Sequence, residues 1–580
     1  MFVPPKGLGV LSDPQRPEGY LLARVWDGEA KGFAYPEQAA GLTPRKGATG
    51  VCFCGGGNRA MVAAWGQLRA LVEAGWLDRV DYISSVSGGS WAATAFTYYS
   101  EGAANDEQFL GRTTPPEKLR AATLQQISPV SLGATATESF MSRLVEQALF
   151  VSMRQISPNE VWQRAVGATF FERFGLYDRG QAEYLSYNDE TVADILRRNP
   201  GLQGARFHTV RRKAGDAKRP YLIVNSTLMW PDAGNLVPFE YTPLASGSKR
   251  RLTLEDGGGR RQTVGGGFLE SFAFGSGAPQ QWPPEEGTAC ASWAGSVGCV
   301  SVPPPRRPFS PAFASGTSSA AFAATNASLL GGNALLNNYL RQGPPVERYW
   351  PIEPLDRSTP PSAEDYTFGD GGSLENYGLI PLLLRGVERA VVFINTERRL
   401  NVDYSPGEPP YRQPSITELD GNFGPLFGLL PSDRNQPPTP NNQVFRTEDL
   451  SRVLRALREA QADGGPMLAT TRLQVQDNAW WGLTGGWDVD VCWYYLDRAP
   501  AWEARLDPEV RRLIEAGNRA APDEKIPYWG FPNYKTMFQG GKLAIIAMSA
   551  GEANLLADLC AWAATQSPRS RQIAEILGAA

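Results

Sequence analysis

Val51-Cys52-Phe53-Cys54-Gly55-Gly56-Gly57-Asn58-Arg59-Ala60 and, further on, Tyr82-Ile83-Ser84-Ser85-Val86-Ser87-Gly88-Gly89-Ser90-Trp91 decide how this chain is read. Each is a short apolar run that stops at a glycine-rich turn. After the first turn, Met61, Trp65, Leu68, Leu71 and Val72 recur at three- and four-residue spacings, which predicts a helix, and Gly75 is placed to end it. Asp81 to Val86 reads as a second strand, and the turn at Ser87 opens another helix. Strand, glycine turn, helix, strand, turn, helix is the beginning of an α/β fold on a mostly parallel sheet. Adjacent parallel strands would carry both turns to one sheet edge.

The chemistry of the two turns differs. Three glycines between a buried strand and a helix expose successive backbone N–H groups at a helix N-terminus, a natural anion site. Gly55-x-Gly57-x-x-Ala60 also fits a dinucleotide fingerprint, but Asp78 and Asp81 precede the next strand and stand at the wrong end to reach a ribose. An oxyanion hole and a plain tight turn are favoured over this nucleotide reading, which stays as a third. At the second turn Ser87 has small residues two before and two after it, Ser85 and Gly89, as a strained nucleophile elbow requires. Ser85 replaces the first glycine of the usual G-x-S-x-G.

A serine nucleophile needs a base, and composition narrows the choice. The 580 residues contain one histidine, His208, so HExxH and multi-histidine zinc sites are excluded. His208 lies in the basic, polar stretch Arg206 to Arg212, which reads as surface or strand. No histidine follows it, as the Ser, acid, His order of an α/β-hydrolase triad would require. Asp370 stands out instead, because Phe368-Gly369-Asp370-Gly371-Gly372 packs glycines around one carboxylate and permits close backbone approach. An Asp-Gly turn is the alternative reading of that stretch. The 56 basic and 60 acidic residues leave a net charge of -4, so no nucleic-acid partner is expected. With 42% hydrophobic and 20% charged residues the chain is globular rather than disordered.

Residues 1–46, rich in Pro, Gly and charge, read as an irregular N-terminal arm. Residues 47–570 read as a single catalytic domain with loop-rich insertions at about 100–220, 245–310 and 402–442. Strands are expected at Tyr221 to Asn225 and Ala390 to Asn395, and helices near 135–155, 188–198, 379–388 and 552–566. Gly257-Gly258-Gly259-Arg260 imitates the first turn but follows a polar stretch, so it is read as a hairpin loop. Phe423, Leu426, Phe427 and Leu430, inside a Pro-rich segment, are either core anchors or a mobile apolar lid that contacts lipid. Six cysteines in so long a chain are no disulfide framework; Cys290 and Cys299 could bridge, but free thiols in a reducing compartment are the expectation. Neither a signal peptide nor a transmembrane run is evident.

The block Cys54 to Met61, followed by Leu68-Arg69-Ala70-Leu71, Gly75-Trp76-Leu77-Asp78 and Tyr82 to Trp91, resembles the catalytic domain of cytosolic (group IV) phospholipase A2, within the wider patatin-like group. Weaker echoes appear at Pro238 to Pro243, Gly316 to Phe322, Asp370 to Gly372, Asn376 to Pro381 and Phe531 to Thr536. The resemblance implies a patatin-like three-layer sandwich with a central mostly parallel sheet and lid or cap insertions. It implies a Ser-Asp dyad in which Ser87 attacks an acyl ester and Asp370 takes its proton. Gly55, Gly56, Gly57 and Gly88 would form the oxyanion hole, and Arg59 would bind the substrate phosphate or assist the oxyanion. No metal or cofactor is implied. The substrate would be a phospholipid or lysophospholipid at a membrane or micelle surface, met by a cytoplasmic protein in peripheral contact. About 46 residues precede the first catalytic strand, fewer than a calcium-binding C2 domain needs, so no such domain is expected. A catalytically silent lipid-binding protein on the same fold and a nucleotide-binding enzyme using the first turn are the alternatives.

Overall fold

Thirteen strands form one mixed sheet among the residues that the computed structural model describes: 19–99, 105–211, 215–285, 293–324, 343–432, 441–520, 526–535, 538–539, 542–543 and 547–579. In chain order the strands begin with β1 (Leu21–Asp27), β2 (Thr49–Phe53) and β3 (Tyr82–Val86). Then come β4 (Glu183–Leu185) and β5 (Arg206–His208), which make a separate two-stranded sheet. β6 (Tyr221–Met229), β7 (Leu236–Tyr241), β8 (Ala245–Glu255), β9 (Arg261–Glu270) and β10 (Gly298–Val302) follow. β11 (Val346–Tyr349), β12 (Glu364–Asp370), β13 (Arg389–Ile394), β14 (Met467–Gln474) and β15 (Asp488–Tyr495) complete the main sheet, and β16 (Phe538–Gln539) pairs antiparallel with β17 (Lys542–Leu543) in a second two-stranded sheet.

The main path runs β10-β1-β9-β8-β7-β6-β3-β2-β13-β15-β14, and β12 pairs with both β6 and β11. Only the five neighbours β6, β3, β2, β13 and β15 are parallel to one another. The other eight strands join antiparallel, so the expectation of a mostly parallel sheet holds for the centre alone. The central strands are buried on both faces, which is why Val51, Phe53, Ile83 and Val391 to Ile394 read as unbroken apolar runs. The helix Gly57–Glu73 follows β2 and ends before Gly75, whose φ of 68° only glycine adopts freely. The helix Ala550–Thr565 packs along it, and both are buried over most of their length.

Two further expectations need correction, and burial decides between two alternatives for a third segment. The N-terminal arm is not irregular throughout, because β1 lies between β9 and β10 in the main sheet. Its Arg24 is buried there beside Asp194 and Glu270, a charge pairing that local patterning does not reveal. The 245–310 segment is not mainly loop, because β8 and β9 form a long hairpin; the Gly257 to Gly259 turn does close it, with Asp256 N–H donating to Arg260 O at 2.9 Å. Phe423, Leu426 and Phe427 are fully buried, with Phe423 packed on Trp493, so these residues anchor the 402–442 segment to the core rather than form a lid. Residues 433–440 of that segment lie outside the described residues.

Cys52, Cys54, Cys492 and Cys560 are free and buried, whereas Cys299 is disulfide-bonded. Cys290 lies outside the described residues. The expectation of free thiols throughout therefore fails at Cys299, and with it the argument for a reducing compartment. No helix among the described residues is long and apolar enough to cross a membrane.

Candidate active site

β2 and β3 are parallel neighbours, with Phe53 opposite Ser85, so their C-terminal turns meet at one edge of the sheet. Val86 is still extended; Ser87 then takes φ 50° and becomes the first residue of the helix Ser87–Tyr98. Left-handed backbone costs a non-glycine residue roughly 1–3 kcal/mol, and such strain persists only where the surroundings over-determine it. The next residue has to be small, because a Cβ on Gly88 would overlap the carbonyl of Gly57. The two turns thus touch backbone to backbone.

Asp370 reaches the elbow through β6. That strand runs parallel to β3, with Val86 opposite Asn225, and antiparallel to β12, with Ser226 opposite Asp370. Ser87 Oγ donates to Asp370 Oδ2 at 2.8 Å, joining residues 283 positions apart. The other carboxylate oxygen accepts the Gly372 N–H at 2.7 Å. Both side chains are buried, Ser87 4% and Asp370 5% exposed. Loss of water around the carboxylate pushes the Asp370 pKa up to about 7, although the Gly372 and Ser87 hydrogen bonds pull the other way. A carboxylate poised near neutrality is suited to take a proton and return it.

The first glycine turn contributes less evenly than expected. Gly55 N–H donates to Asn376 O at 3.1 Å, which commits that donor and removes Gly55 from the candidate oxyanion hole. Gly57 opens the Gly57–Glu73 helix and Gly88 is second in the Ser87–Tyr98 helix, where N–H groups lack partners within the helix. Gly56, with φ 141°, precedes Gly57. These glycines surround the elbow and are the candidates for holding an anionic oxygen.

Arg59 also departs from expectation. Its Nε donates to Asn395 O at 2.8 Å and its Nη1 to Tyr534 O at 2.7 Å, and Glu397 lies 3.8 Å away. The side chain is buried, its Nη2 packed beneath Gly56. Rather than presenting itself to a phosphate, the guanidinium ties the glycine turn to the end of β13 and to the Phe531 to Lys535 segment. Desolvation lowers its pKa from the usual value, with Glu397 opposing.

Sequence reasoning missed Asn225, Ser226 and Asn376. Asn225 Nδ2 donates to Ser84 Oγ at 2.9 Å and to Ser85 O at 3.0 Å, while Ser226 Oγ donates to Gly369 O at 2.8 Å. β6 thereby ties the serine strand to the aspartate strand. Only the position of Asn225 at the end of an apolar run could have drawn attention to it. His208 is elsewhere: it is buried on β5, with Nε2 3.1 Å from Glu183 Oε1, so the strand reading holds and the surface reading does not.

Residues 51–209, which hold both glycine turns and the elbow, match the family model for patatin-like phospholipase. Among solved structures the chain is similar to human GIVD cytosolic phospholipase A2, at 13% identity and a TM-score of 0.44, covering 94% of this chain and 62% of that chain. The human protein in complex with methyl gamma-linolenyl fluorophosphonate gives a TM-score of 0.41 at 13% identity, with the same shares covered. The chain thus spans 62% of the length of the human chain it matches. No curated protein matches the sequence significantly.

Proposed function

We propose that the protein is a serine lipid acyl hydrolase in which Ser87 is the nucleophile and Asp370 its base. The observation that carries this reading is the 2.8 Å hydrogen bond from Ser87 Oγ to Asp370 Oδ2 at a left-handed elbow. The patatin-like phospholipase match over residues 51–209 supports a fatty-acyl ester as the substrate, and we extend it to phospholipids and lysophospholipids.

Ser87 Oγ attacks the ester carbonyl while its proton passes to Asp370 Oδ2. The negative oxygen of the tetrahedral intermediate is held by backbone N–H groups among Gly56, Gly57 and Gly88. The intermediate collapses, the alcohol leaves with the proton from Asp370, and the acyl group stays on Ser87. Water then attacks the acyl-enzyme with Asp370 again as base, which releases the fatty acid and restores Ser87. Raising the Asp370 pKa to about 7 makes the carboxylate a stronger base than an ordinary aspartate.

Peripheral contact with lipid is part of the proposal. Val145, Leu149 and Met153 follow one another at four-residue intervals along and just beyond the helix Phe140–Ser152, and all are exposed. Phe140, at the start of that helix, stacks on Trp91 one turn beyond Ser87.

A fluorophosphonate bearing an acyl chain tests the reading. Peptide mapping should find the adduct on Ser87 in the wild-type protein and none in Ser87→Ala. Failure to label, or labelling at another residue, contradicts it. Hydrolysis of a panel of defined phospholipids and lysophospholipids would then identify the substrate.

A further inference from the structure

We infer that Ser318 is a positioning residue for the nucleophile; the inference rests on the Ser87–Asp370 reading. Ser87 N–H donates to Ser318 Oγ at 3.0 Å, and the Ser318 hydroxyl donates to Asn225 O at 2.6 Å. Chemistry forces this orientation. A backbone N–H can only donate and a carbonyl oxygen can only accept, so the hydroxyl accepts from Ser87 and turns its proton toward Asn225. Asn225 Nδ2 in turn donates to Ser85 O at 3.0 Å. The three bonds close a ring across the elbow, gripping the carbonyl of Ser85 on one side of Val86 and the N–H of Ser87 on the other.

That ring acts where the backbone is strained. Ser87 has φ 50°, and relaxation toward ordinary backbone angles would swing its Oγ away from Asp370. Ser318 is the last residue of the helix Pro311–Ser318, which is itself pinned: Ser315 Oγ donates to Thr94 Oγ1 at 2.7 Å and Gln163 Nε2 to Thr317 Oγ1 at 2.7 Å. The hydroxyl is therefore delivered by a pinned element and is completely buried. Removing it would leave both the Ser87 N–H and the Asn225 carbonyl short of this partner in the interior. The Ser318 hydroxyl bonds Ser87 N–H and Asn225 O, so it bears on the dyad through Ser87.

The adjacent Ser319 provides the control. Its Oγ accepts from Trp91 Nε1 at 3.1 Å and from Trp162 Nε1 at 3.2 Å, so it serves packing at the same helix end without contacting Ser87. The experiment measures the rate of Ser87 labelling by the fluorophosphonate, kcat and KM on a cleaved ester, and Tm, for wild type, Ser318→Ala, Ser318→Thr and Ser319→Ala. A displacement of the nucleophile by a fraction of an ångström to about 1 Å should cost about 10- to 100-fold. Ser318→Ala should lose that much in labelling rate and kcat while KM stays within about twofold and the pH midpoint stays near 7, because the burial of Asp370 and its bond from Gly372 N–H are kept and only the weaker influence of the Ser87 bond is reduced. Ser318→Thr, which keeps the hydroxyl, should recover most of the rate, and Ser319→Ala should lower Tm with little effect on labelling per folded molecule. If the alanine variant does not fold, Ser318→Cys, similar in size but weak in hydrogen bonding, should show the same slowing. Wild-type labelling at Ser87 with an equally fast Ser318→Ala overturns the inference alone. Equal slowing of Ser318→Ala and Ser319→Ala overturns it as well. Absence of labelling in the wild type overturns the dyad reading together with the inference.

Discussion

The parallel centre of the sheet and its antiparallel wing use glycine in opposite ways. In the centre, Gly55 to Gly57 and Gly88-Gly89 come after β2 and β3, so the backbone turns sharply where these strands stop, whereas Gly50 inside β2 is not among the glycines with positive φ. In the wing, Gly265, Gly266 and Gly267 sit inside β9 with φ of 77°, 88° and 154°, beside a shift of register between Ser248 and Arg251 on β8. Glycine after a strand builds a site that side chains and N–H groups can share. Glycine within a strand bends the sheet and lets β1 approach, since a Cβ on Gly267 would overlap Trp26 O. The first kind frames the proposed site and the second serves shape.

The sharpest way to break that contrast is to place a methyl group at each kind of glycine. Gly88→Ala would force its Cβ against Gly57 O and separate the two turns, so labelling of Ser87 per folded molecule should fall about 10²- to 10³-fold, the range for loss of an oxyanion-hole group. Gly267→Ala should cost stability, by about 2–4 kcal/mol in denaturant unfolding, with labelling per folded molecule unchanged. A Gly267→Ala protein that keeps its stability but loses labelling would reverse the assignment.

Arg59→Lys comes next in expected size. With Nε and Nη1 spent on Asn395 O and Tyr534 O, a lysine can keep at most part of this tether to the glycine turn. Phospholipid and uncharged p-nitrophenyl ester should both slow, about tenfold and to the same extent. A selective loss on the phospholipid would return Arg59 to phosphate binding. The smallest effect is expected at His208, bonded to Glu183 in the separate β4–β5 sheet: His208→Ala should hydrolyse esters within about threefold of wild type. A loss approaching a thousandfold would mark it as a base.

These contrasts also explain what could be read from the chain. β2, β3, β6 and β13 were legible because strands buried on both faces are apolar runs, and glycine marked where β2 and β3 end. The first long helix was legible from its spacing and from Gly75. Asp370 was legible because its glycine neighbours were unusual and the sole histidine was badly placed. β1, β8 and β9 were not, since their charged and glycine residues find partners far along the chain, as Arg24 does with Glu270, 246 positions away. The tether of Arg59 was hidden for the same reason: its motif says nothing of carbonyls 336 and 475 positions distant. Ser318 and Asn225 are ordinary polar residues until the fold brings them to the elbow.

The proposed activation of Ser87 by Asp370 is read out by the pH dependence of Ser87 labelling by a fluorophosphonate. With the Asp370 pKa near 7, the carboxylate is the minority form below that pH and the dominant form above it. The wild-type labelling rate should therefore climb about tenfold per pH unit below the midpoint, bend near pH 7 and level off above it. In Asp370→Asn the rate should be lower by about a thousandfold or more at pH 8, and this inflection should vanish. Labelling of Asp370→Asn at the wild-type rate, with the same inflection, would show that another group activates Ser87.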